Sequence, residues 1–317
     1  MLNHTYIIYS FAGAILGVLL VRSLIRLNLL QGASSKAGTY FLVMSLPFFV
    51  YVCYRYVLHK PCTAAGLYAN PLLTAVCRGG YLFLGLLTPF LAAVVILAVG
   101  RSALFCWYTF RLMNKGQKYE KKLPADKIAV LCRQAKIKNP ELIILPTPQI
   151  KAFVFGLHKE YLVLSRGLIE AVTGEELDFI LAHEICHLRH KDHLTNLAVI
   201  FLRDLMFFNP FIHWLYAKYL LEKEKSVDRQ VVLLFNKPAE YASLLLKIAG
   251  LAAAGTGSGR FWDRLNPYPR LTTGIAPLEE RVTGILAPQE SFKTGPGQTW
   301  LKGIITALVA MSLALIC

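Results

Sequence analysis

The sequence predicts a mainly α membrane protein with about four transmembrane helices and one inserted α+β domain. Hydrophobic residues make up 55% of the 317 residues and the mean hydropathy is +0.47, more than a soluble domain of this length usually has. Apolar runs of roughly 20 residues, the length that a helix needs to cross a bilayer, occur towards both ends of the chain. Between them lies a more polar segment that contains both strand and helix patterns.

Four apolar runs are the predicted membrane spans, at residues 5–21, 39–58, 80–100 and 299–317. The first has no basic segment before it and no convincing cleavage site after it, so we interpret it as a retained span rather than a removed signal peptide. The second contains only Arg55 as a charged residue, near its end, where a long side chain can reach the membrane interface. The third has no charged residue at all.

Basic residues after the third run set the predicted orientation. They are Arg101, Arg111, Lys115, Lys118, Lys121 and Lys122. By the positive-inside rule this flank is cytoplasmic and the N-terminus lies outside. We therefore expect a multi-pass protein of the cell (inner, cytoplasmic) membrane, with a membrane domain over residues 1–105, a cytoplasmic domain and linker over 106–298, and a last helix over 299–317. The net charge of +15 fits contact with an anionic lipid bilayer, and we expect no direct nucleic-acid binding.

The polar segment contains predicted strands followed by a predicted helix. A strand is expected over Glu141–Pro146, and a hairpin over Lys151–Gly156 and Tyr161–Ser165, which are separated by a polar turn. Thr173 is the expected N-cap of the helix, and Glu176, three residues later, is its partner in a capping box. The segment is therefore an α+β domain.

Residues 183–187 form the pattern His-Glu-x-x-His, which predicts a metal site. The histidines are four residues apart, so on a helix both imidazoles lie on one face and can bind one zinc ion per chain. Glu184 is adjacent and can act as the general base that takes a proton from a water attacking a peptide carbonyl. The alternative is a helix that shows the pattern by chance.

A catalytic zinc site usually has three protein ligands, so a third must lie elsewhere in the chain. His193 comes ten residues after His183, but the known pattern with that spacing needs a glycine where this chain has His190. Glu224 is favoured, because Asp228 follows one helical turn later and can accept a hydrogen bond from a ligand histidine. The alternative for this segment is a charged, solvent-exposed turn of helix.

The motif and its flanks resemble the BlaR/MecR family of integral-membrane gluzincins, the β-lactam sensor-transducer peptidases. The resemblance is in the motif residues, in three stretches around them and in the plan of three spans, a protease domain and a fourth span. The stretches are "AFVFGLHKEYLVLSRGLIE", "FNPFIHWLYAKYLLEKEKSVDRQVV" and "PLEERVTGIL". The resemblance implies a gluzincin-like zinc protease domain. It also implies these site residues: catalytic Glu184, metal ligands His183, His187 and Glu224, and supporting carboxylates Asp192 and Asp228.

The same resemblance implies a zinc metalloendopeptidase that cuts peptide or protein substrates on the cytoplasmic side in regulated proteolysis. Its substrates would be a cytoplasmic transcriptional repressor and the chain itself, with the turn-rich linker Gly255–Gly297 as the candidate self-cleavage region. Members that sense β-lactams continue into an external penicillin-binding domain. This sequence stops at Cys317, so we expect no such domain and a separate membrane protein as the candidate sensor. The alternatives are a housekeeping membrane protease of the HtpX/CAAX type and a non-catalytic receptor with a vestigial site.

Two further expectations concern the surroundings of the site. The hairpin is expected to expose an edge strand that pairs with an extended substrate, formed by Ala152, Phe153, Val154 and Phe155. The apolar stretch Asn196–Leu221 must leave Glu224 on the same side of the membrane as the histidines, so we expect a helix at the membrane face or buried against the spans. The group that polarises the scissile carbonyl stays open, with four candidates: His213, Tyr216, Arg229 and Tyr241.

Overall fold

A computed structural model divides the chain into two compact units. It describes residues 3–30, 32–53, 125–156, 159–254 and 275–287, together with single positions between 93 and 107. The first unit comprises residues 1–100, 199–219 and 292–317, and the second comprises residues 101–198 and 220–291. The predicted domain boundaries after residues 105 and 298 stay predictions.

Two helices at the N-terminus, α1 (Asn3–Arg26) and α2 (Ala33–Cys53), belong to the first unit. The first predicted span lies within α1, and the second begins within α2 and continues into residues outside the described part. Among the described residues, no helix combines the length and the apolar composition needed to cross a membrane. The third predicted span lies largely, and the fourth entirely, outside the described residues. The four spans therefore find no support here and stay predictions.

The apolar stretch between the motif and Glu224 forms parts of two helices, α6 (Asp192–Leu205) and α7 (Pro210–Phe235), rather than the single helix expected. The break has a local cause at Asn209, whose Oδ1 accepts a hydrogen bond from the backbone N–H of Phe211 at 3.0 Å. Pro210 then occupies the first helical position, where its missing N–H costs nothing. The buried Asn209 Nδ2 also donates to the backbone oxygen of Ser10 at 2.9 Å, within the first unit.

The second unit contains a three-stranded sheet. After α3 (Ala125–Ala135), the strands are β1 (Glu141–Leu145), β2 (Ala152–Phe155) and β3 (Tyr161–Ser165). Their spatial order is β1-β3-β2, with β1 parallel and β2 antiparallel to β3. The predicted strand and hairpin are thus confirmed. Gly156, directly after β2, has a φ of +135°, and a Cβ there would lie 1.9 Å from the Lys159 carbonyl oxygen, so only glycine fits.

The helices of this unit follow the sheet. They are α4 (Arg166–Ala171), α5 (Gly174–Arg189), α8 (Pro238–Ala254) and α9 (Ile275–Leu286), together with the start of α6 and the C-terminal part of α7. The predicted capping box at the start of α5 is confirmed, since Thr173 Oγ1 accepts from the Glu176 N–H and Glu176 Oε2 accepts from the Thr173 N–H. The core of this unit lies between β2, β3, α5 and α8, with Leu162, Leu181 and Leu245 fully buried.

Candidate metal centre

Helix α5 carries the His-Glu-x-x-His pattern in the interior of the second unit. Its apolar residues Leu181 and Leu188 are buried, and His183, Glu184 and His187 are also buried, with exposures of 1%, 4% and 8%. A buried polar side chain costs free energy unless it has a partner. The partners of the two histidines come from α6, α7 and α8.

Three side chains converge at one point, His183 and His187 from α5 and Glu224 from α7. The Nε2 atoms of the two histidines lie 3.1 Å apart. Glu224 Oε2 lies 3.5 Å from His183 Nε2, and its Oε1 lies 3.5 Å from His187 Nε2. One ligand atom of each residue lies within 4.8 Å of the other two. Two imidazoles and a carboxylate at these distances are a donor set suited to Zn²⁺.

Asp192, at the start of α6, sets the orientation of His187. The Nδ1 atom of His187 lies 2.8 Å from Asp192 Oδ2. An ionised carboxylate only accepts, so Nδ1 carries the proton and donates it, and the lone pair stays on Nε2. Lys223 of α7 donates to the other oxygen of Asp192. Burial would raise the pKa of Asp192, but the hydrogen bond from His187 and the charge of Lys223 lower this pKa to about 2.

A relay of two groups orients His183. Tyr241 Oη of α8 donates to Asp228 Oδ1 at 2.7 Å and lies 2.8 Å from His183 Nδ1. The single hydroxyl proton is used by the carboxylate, so His183 Nδ1–H must be the donor to Tyr241. Burial and the Asp228 charge raise the pKa of Tyr241 well above its usual value, which keeps the hydroxyl protonated. His183 therefore also presents the lone pair of Nε2.

The facing lone pairs of the two Nε2 atoms favour a cation between them. At 3.1 Å they repel each other unless a proton or a metal ion shares them. Burial would lower the pKa of His183, but the Asp228 and Glu224 carboxylates raise it to about 9, so the site attracts positive charge. The centre contains four buried carboxylates and two cationic side chains, and a divalent cation would neutralise the excess negative charge. The carboxylates are Glu184, Asp192, Glu224 and Asp228, and the cations are Lys223 and Arg281. The residues present therefore fit Zn²⁺.

Arg281, on α9, is a member of the centre that sequence reasoning missed. Its Nε and Nη2 atoms donate to the two oxygens of Asp228, both at 2.7 Å, and its Nη1 lies 3.0 Å from Glu224 Oε2. The side chain is 2% exposed. Burial would raise the pKa of Glu224, but the Arg281 charge lowers this pKa below its usual range. The one signal for Arg281 in the sequence was its place in "PLEERVTGIL".

Glu184 lies next to the ligands without a role in orienting them. Burial is the main influence on this side chain, and it raises the pKa of Glu184 against the lowering effect of the charges of His187 and His183. A carboxylate with a raised pKa accepts a proton more readily than an exposed carboxylate does. This arrangement suits proton transfer beside a metal ion.

Strand β2 is an edge strand, as predicted. Among the described strands it pairs only with β3, which leaves its second edge unpaired with any of them. Val154 is buried, whereas Ala152, Phe153 and Phe155 are half-buried. Helix α5 packs against this strand, so the edge belongs to the same unit as the metal centre. Substrate pairing at this edge stays a prediction.

The remaining candidates have other contacts. His193 is buried beside the backbone of Gly156 and is not part of the metal-binding group found among the described residues. His190 lies 3.3 Å from Gln230 Nε2. The hydroxyl of Tyr241 is already used by His183 and Asp228, so its place is behind a ligand. His213 and Tyr216 belong to the first unit, and Arg229 to the second, where its role stays an open candidate.

Comparison with known proteins gives a family match over the same region. The family model described as BlaR1 peptidase M56 matches residues 80–262, more than half of the chain. This range contains both histidines of the motif, Glu184, Glu224 and Asp228. It ends before Arg281.

The chain is also similar to curated proteases and to a regulatory protein. The protease HtpX homolog of Pyrococcus furiosus is 29% identical over 116 residues, 36% of this chain and 39% of that protein. Protease HtpX of Chromohalobacter salexigens is 42% identical over 77 residues, 24% of this chain and 25% of that protein. Regulatory protein BlaR1 of Bacillus licheniformis is 27% identical over 123 residues, 38% of this chain and 20% of that protein. The chain thus spans about two fifths or less of the length of these relatives.

Among solved structures, the crystal structure of S. mikatae Ste24p matches with a TM-score of 0.41 and 17% sequence identity. The match covers 81% of this chain and 77% of that chain.

Proposed function

The chain belongs to the BlaR1 peptidase M56 family, and on this premise we propose that it is a zinc metalloendopeptidase. The observation that carries the proposal is the convergence of His183, His187 and Glu224, with the buried carboxylate of Glu184 beside them. A purely structural zinc site would close with four protein ligands, whereas three protein ligands leave a position open for the reaction.

Each residue of the centre would have a distinct task. His183, His187 and Glu224 would hold the zinc ion, which would supply Lewis-acid activation of a water and of the peptide carbonyl. Glu184 would take a proton from the attacking water as the new C–O bond forms. It would then pass that proton to the amide nitrogen as the C–N bond breaks, so that a carboxylic acid and an amine leave.

Asp192 and Tyr241 would keep the two imidazoles in the tautomer that offers Nε2 to the metal. This assignment is supported by the 2.8 Å contacts of each Nδ1 atom. The edge of β2 would align the substrate, because an unpaired strand edge offers backbone N–H and C=O groups to an extended peptide. The substrate would therefore be an unfolded or extended segment of a protein chain.

The proposed location is the cell membrane, with the metal centre on the cytoplasmic side. It is supported by the apolar runs at residues 5–21, 39–58, 80–100 and 299–317, and by the basic residues after the third run. The proposed role is regulated proteolysis, in which the enzyme cuts itself or a transcriptional repressor. The similarity to a protein named regulatory protein BlaR1 supports this role.

A second candidate role is a housekeeping protease of membrane proteins. The relatives named protease HtpX favour it, with up to 42% identity over a short range. The two roles share the chemistry but differ in the number of substrates. A regulator would have one or two substrates, and a housekeeping enzyme would have many.

The chemistry is tested with the detergent-purified chain beside Glu184→Gln. We expect one zinc ion per chain in both proteins and slow self-cleavage in the wild type alone. A wild-type chain that binds no zinc would favour a non-catalytic receptor. The role is tested by proteomics of cells that contain either the active chain or Glu184→Gln, with one or two trapped soluble proteins expected for the regulator.

A further inference from the structure

Arg281 is a guanidinium buried among the carboxylates of the metal centre. With 2% of its surface exposed, it cannot exchange these partners for water. It comes from α9, and its hydrogen bonds to Asp228 join residues 53 positions apart in the chain. A buried charge in this position needs a reason, because it costs free energy unless all of its donors are used.

The three nitrogen atoms of the guanidinium contact two carboxylates. Nε and Nη2 form a fork on Asp228, with both distances at 2.7 Å. Nη1 forms an ion pair with Glu224 Oε2 at 3.0 Å. Among the described residues Glu224 Oε2 has no hydrogen-bond partner and lies 3.5 Å from His183 Nε2, and Oε1 lies 3.5 Å from His187 Nε2. The Arg281 charge therefore attracts the carboxylate and leaves both of its oxygens available to the metal. The fork on Asp228 fixes the carboxylate that receives the hydroxyl proton of Tyr241.

Without Arg281, two buried carboxylates would face each other. Glu224 and Asp228 are four residues apart on α7, so they lie on one face of the helix and their like charges repel. A lysine could supply the charge but not the fork, because an ammonium is a compact charge and only a planar guanidinium binds a carboxylate with two parallel hydrogen bonds.

Helix α9 is held in place by contacts outside the metal centre. Its Ile285 is part of the buried core, and the helix packs against α8. At the surface, Glu280 accepts a hydrogen bond from Lys225 Nζ of α7 at 2.7 Å. These contacts do not involve the side chains of the metal ligands. The position of α9 can therefore determine the orientation of the ligands.

We propose that Arg281 is a positioning residue of the metal centre, which fixes Glu224 directly and His183 through Asp228 and Tyr241, so that docking of α9 completes the site. The proposal rests on the proposed zinc function. In this arrangement the orientations of Glu224 and of His183 both depend on the side chain of Arg281.

The test compares zinc binding by detergent-purified full-length chains carrying Arg281→Lys or Arg281→Met. Affinity is measured by competition with a chromophoric chelator, and ligand geometry by the visible absorption of the Co²⁺ form. Loss of a partner behind a metal ligand typically weakens metal affinity by about 10- to 100-fold, and we expect a loss in this range for Arg281→Met. Arg281→Lys should restore folding but only part of the affinity, with an altered Co²⁺ spectrum.

Glu279→Gln is the matched control, because it changes an exposed carboxylate of the same helix but leaves the guanidinium and the Glu280–Lys225 contact in place. It should bind zinc as the wild type does. The proposal is overturned if a folded Arg281→Lys or Arg281→Met chain binds zinc as tightly as the wild type with an unchanged Co²⁺ spectrum. Should Arg281→Met not fold, Arg281→Lys decides alone.

The outcome is independent of the proposed reaction. A wild-type chain that binds zinc but never hydrolyses a peptide refutes the peptidase proposal and leaves the role of Arg281 to the affinity measurements. A chain that is active, with Arg281 variants that bind zinc normally, refutes only the role of Arg281.

Discussion

The imidazoles of His183 and His187 face each other with 3.1 Å between their Nε2 atoms, yet each is oriented by a different helix. His183 is bound through Tyr241 of α8, and His187 through Asp192 of α6. Helical spacing puts the two residues on one face of α5, but it does not determine which ring nitrogen faces inward. The outer partners determine this, because they take the Nδ1 protons.

Replacing Glu184 by glutamine should separate chemistry from metal binding. The amide has nearly the same shape but cannot accept a proton, so we expect unchanged zinc content and peptide hydrolysis slower by about 10²- to 10⁴-fold. Metal analysis and the rate of cleavage of a quenched fluorescent peptide check this. Glu170→Gln, at an exposed ion pair on α4, is the control and should cleave at the wild-type rate. Wild-type activity in Glu184→Gln would contradict the assignment.

Glu224→Ala and His193→Ala should differ in their metal content. Removal of Glu224 takes one of three ligands away and leaves Arg281 without one of its partners, so we expect this chain to lose zinc during purification. His193 lies outside the metal-binding group of the described residues, so His193→Ala should keep one zinc ion. The opposite pattern, in which zinc is kept without Glu224 and lost without His193, would reverse the choice of third ligand.

Tyr241→Phe removes one hydroxyl and should weaken zinc binding without unfolding the chain. His183 Nδ1 lies 3.4 Å from Asp228 Oδ1, so the carboxylate can partly replace the missing acceptor. We therefore expect a loss of affinity of about tenfold, near the lower end of the usual effect of such partners. Chelator competition measures it. Tyr161→Phe, on the sheet, is the control, and equal affinities for both variants would mean that the Tyr241 hydroxyl does not orient the ligand.

Thr173→Ala should destabilise the start of the helix that carries the ligands. It removes the acceptor of the Glu176 N–H and with it half of the capping box. The expected cost is about 1 kcal/mol in the free energy of unfolding. For a chain of 317 residues, with an unfolding entropy of about 2.1 cal/mol/K per residue, such a cost lowers Tm by roughly 1.5 °C. Thermal unfolding measures the change beside Thr283→Ala, whose hydroxyl bonds only to carbonyls of its own helix. Equal Tm values for the two variants would contradict the prediction.

Local patterns in the sequence were sufficient for the elements of the second unit. The hairpin followed from two short apolar runs with a turn between them, and the start of α5 followed from Thr173 and Glu176 three residues apart. Both are interactions between near neighbours in the chain, so the sequence contains the whole signal. The stretch before Glu224 was harder to predict, because the break at Asn209 between α6 and α7 lies within a mostly apolar run of residues.

By itself, the sequence determined which helix presents two imidazoles and a carboxylate on one face, because a spacing of four residues is a local property of a helix. It also gave Glu224 and His193 as candidate third ligands, but it could not give the distance of either residue from His183 and His187. The tertiary structure alone decided that Glu224 lies 3.5 Å from both Nε2 atoms. It alone revealed that Tyr241 and Arg281 support the site. Their contacts join residues 58 and 53 positions apart, and no periodicity in a chain predicts a hydrogen bond between helices so far separated.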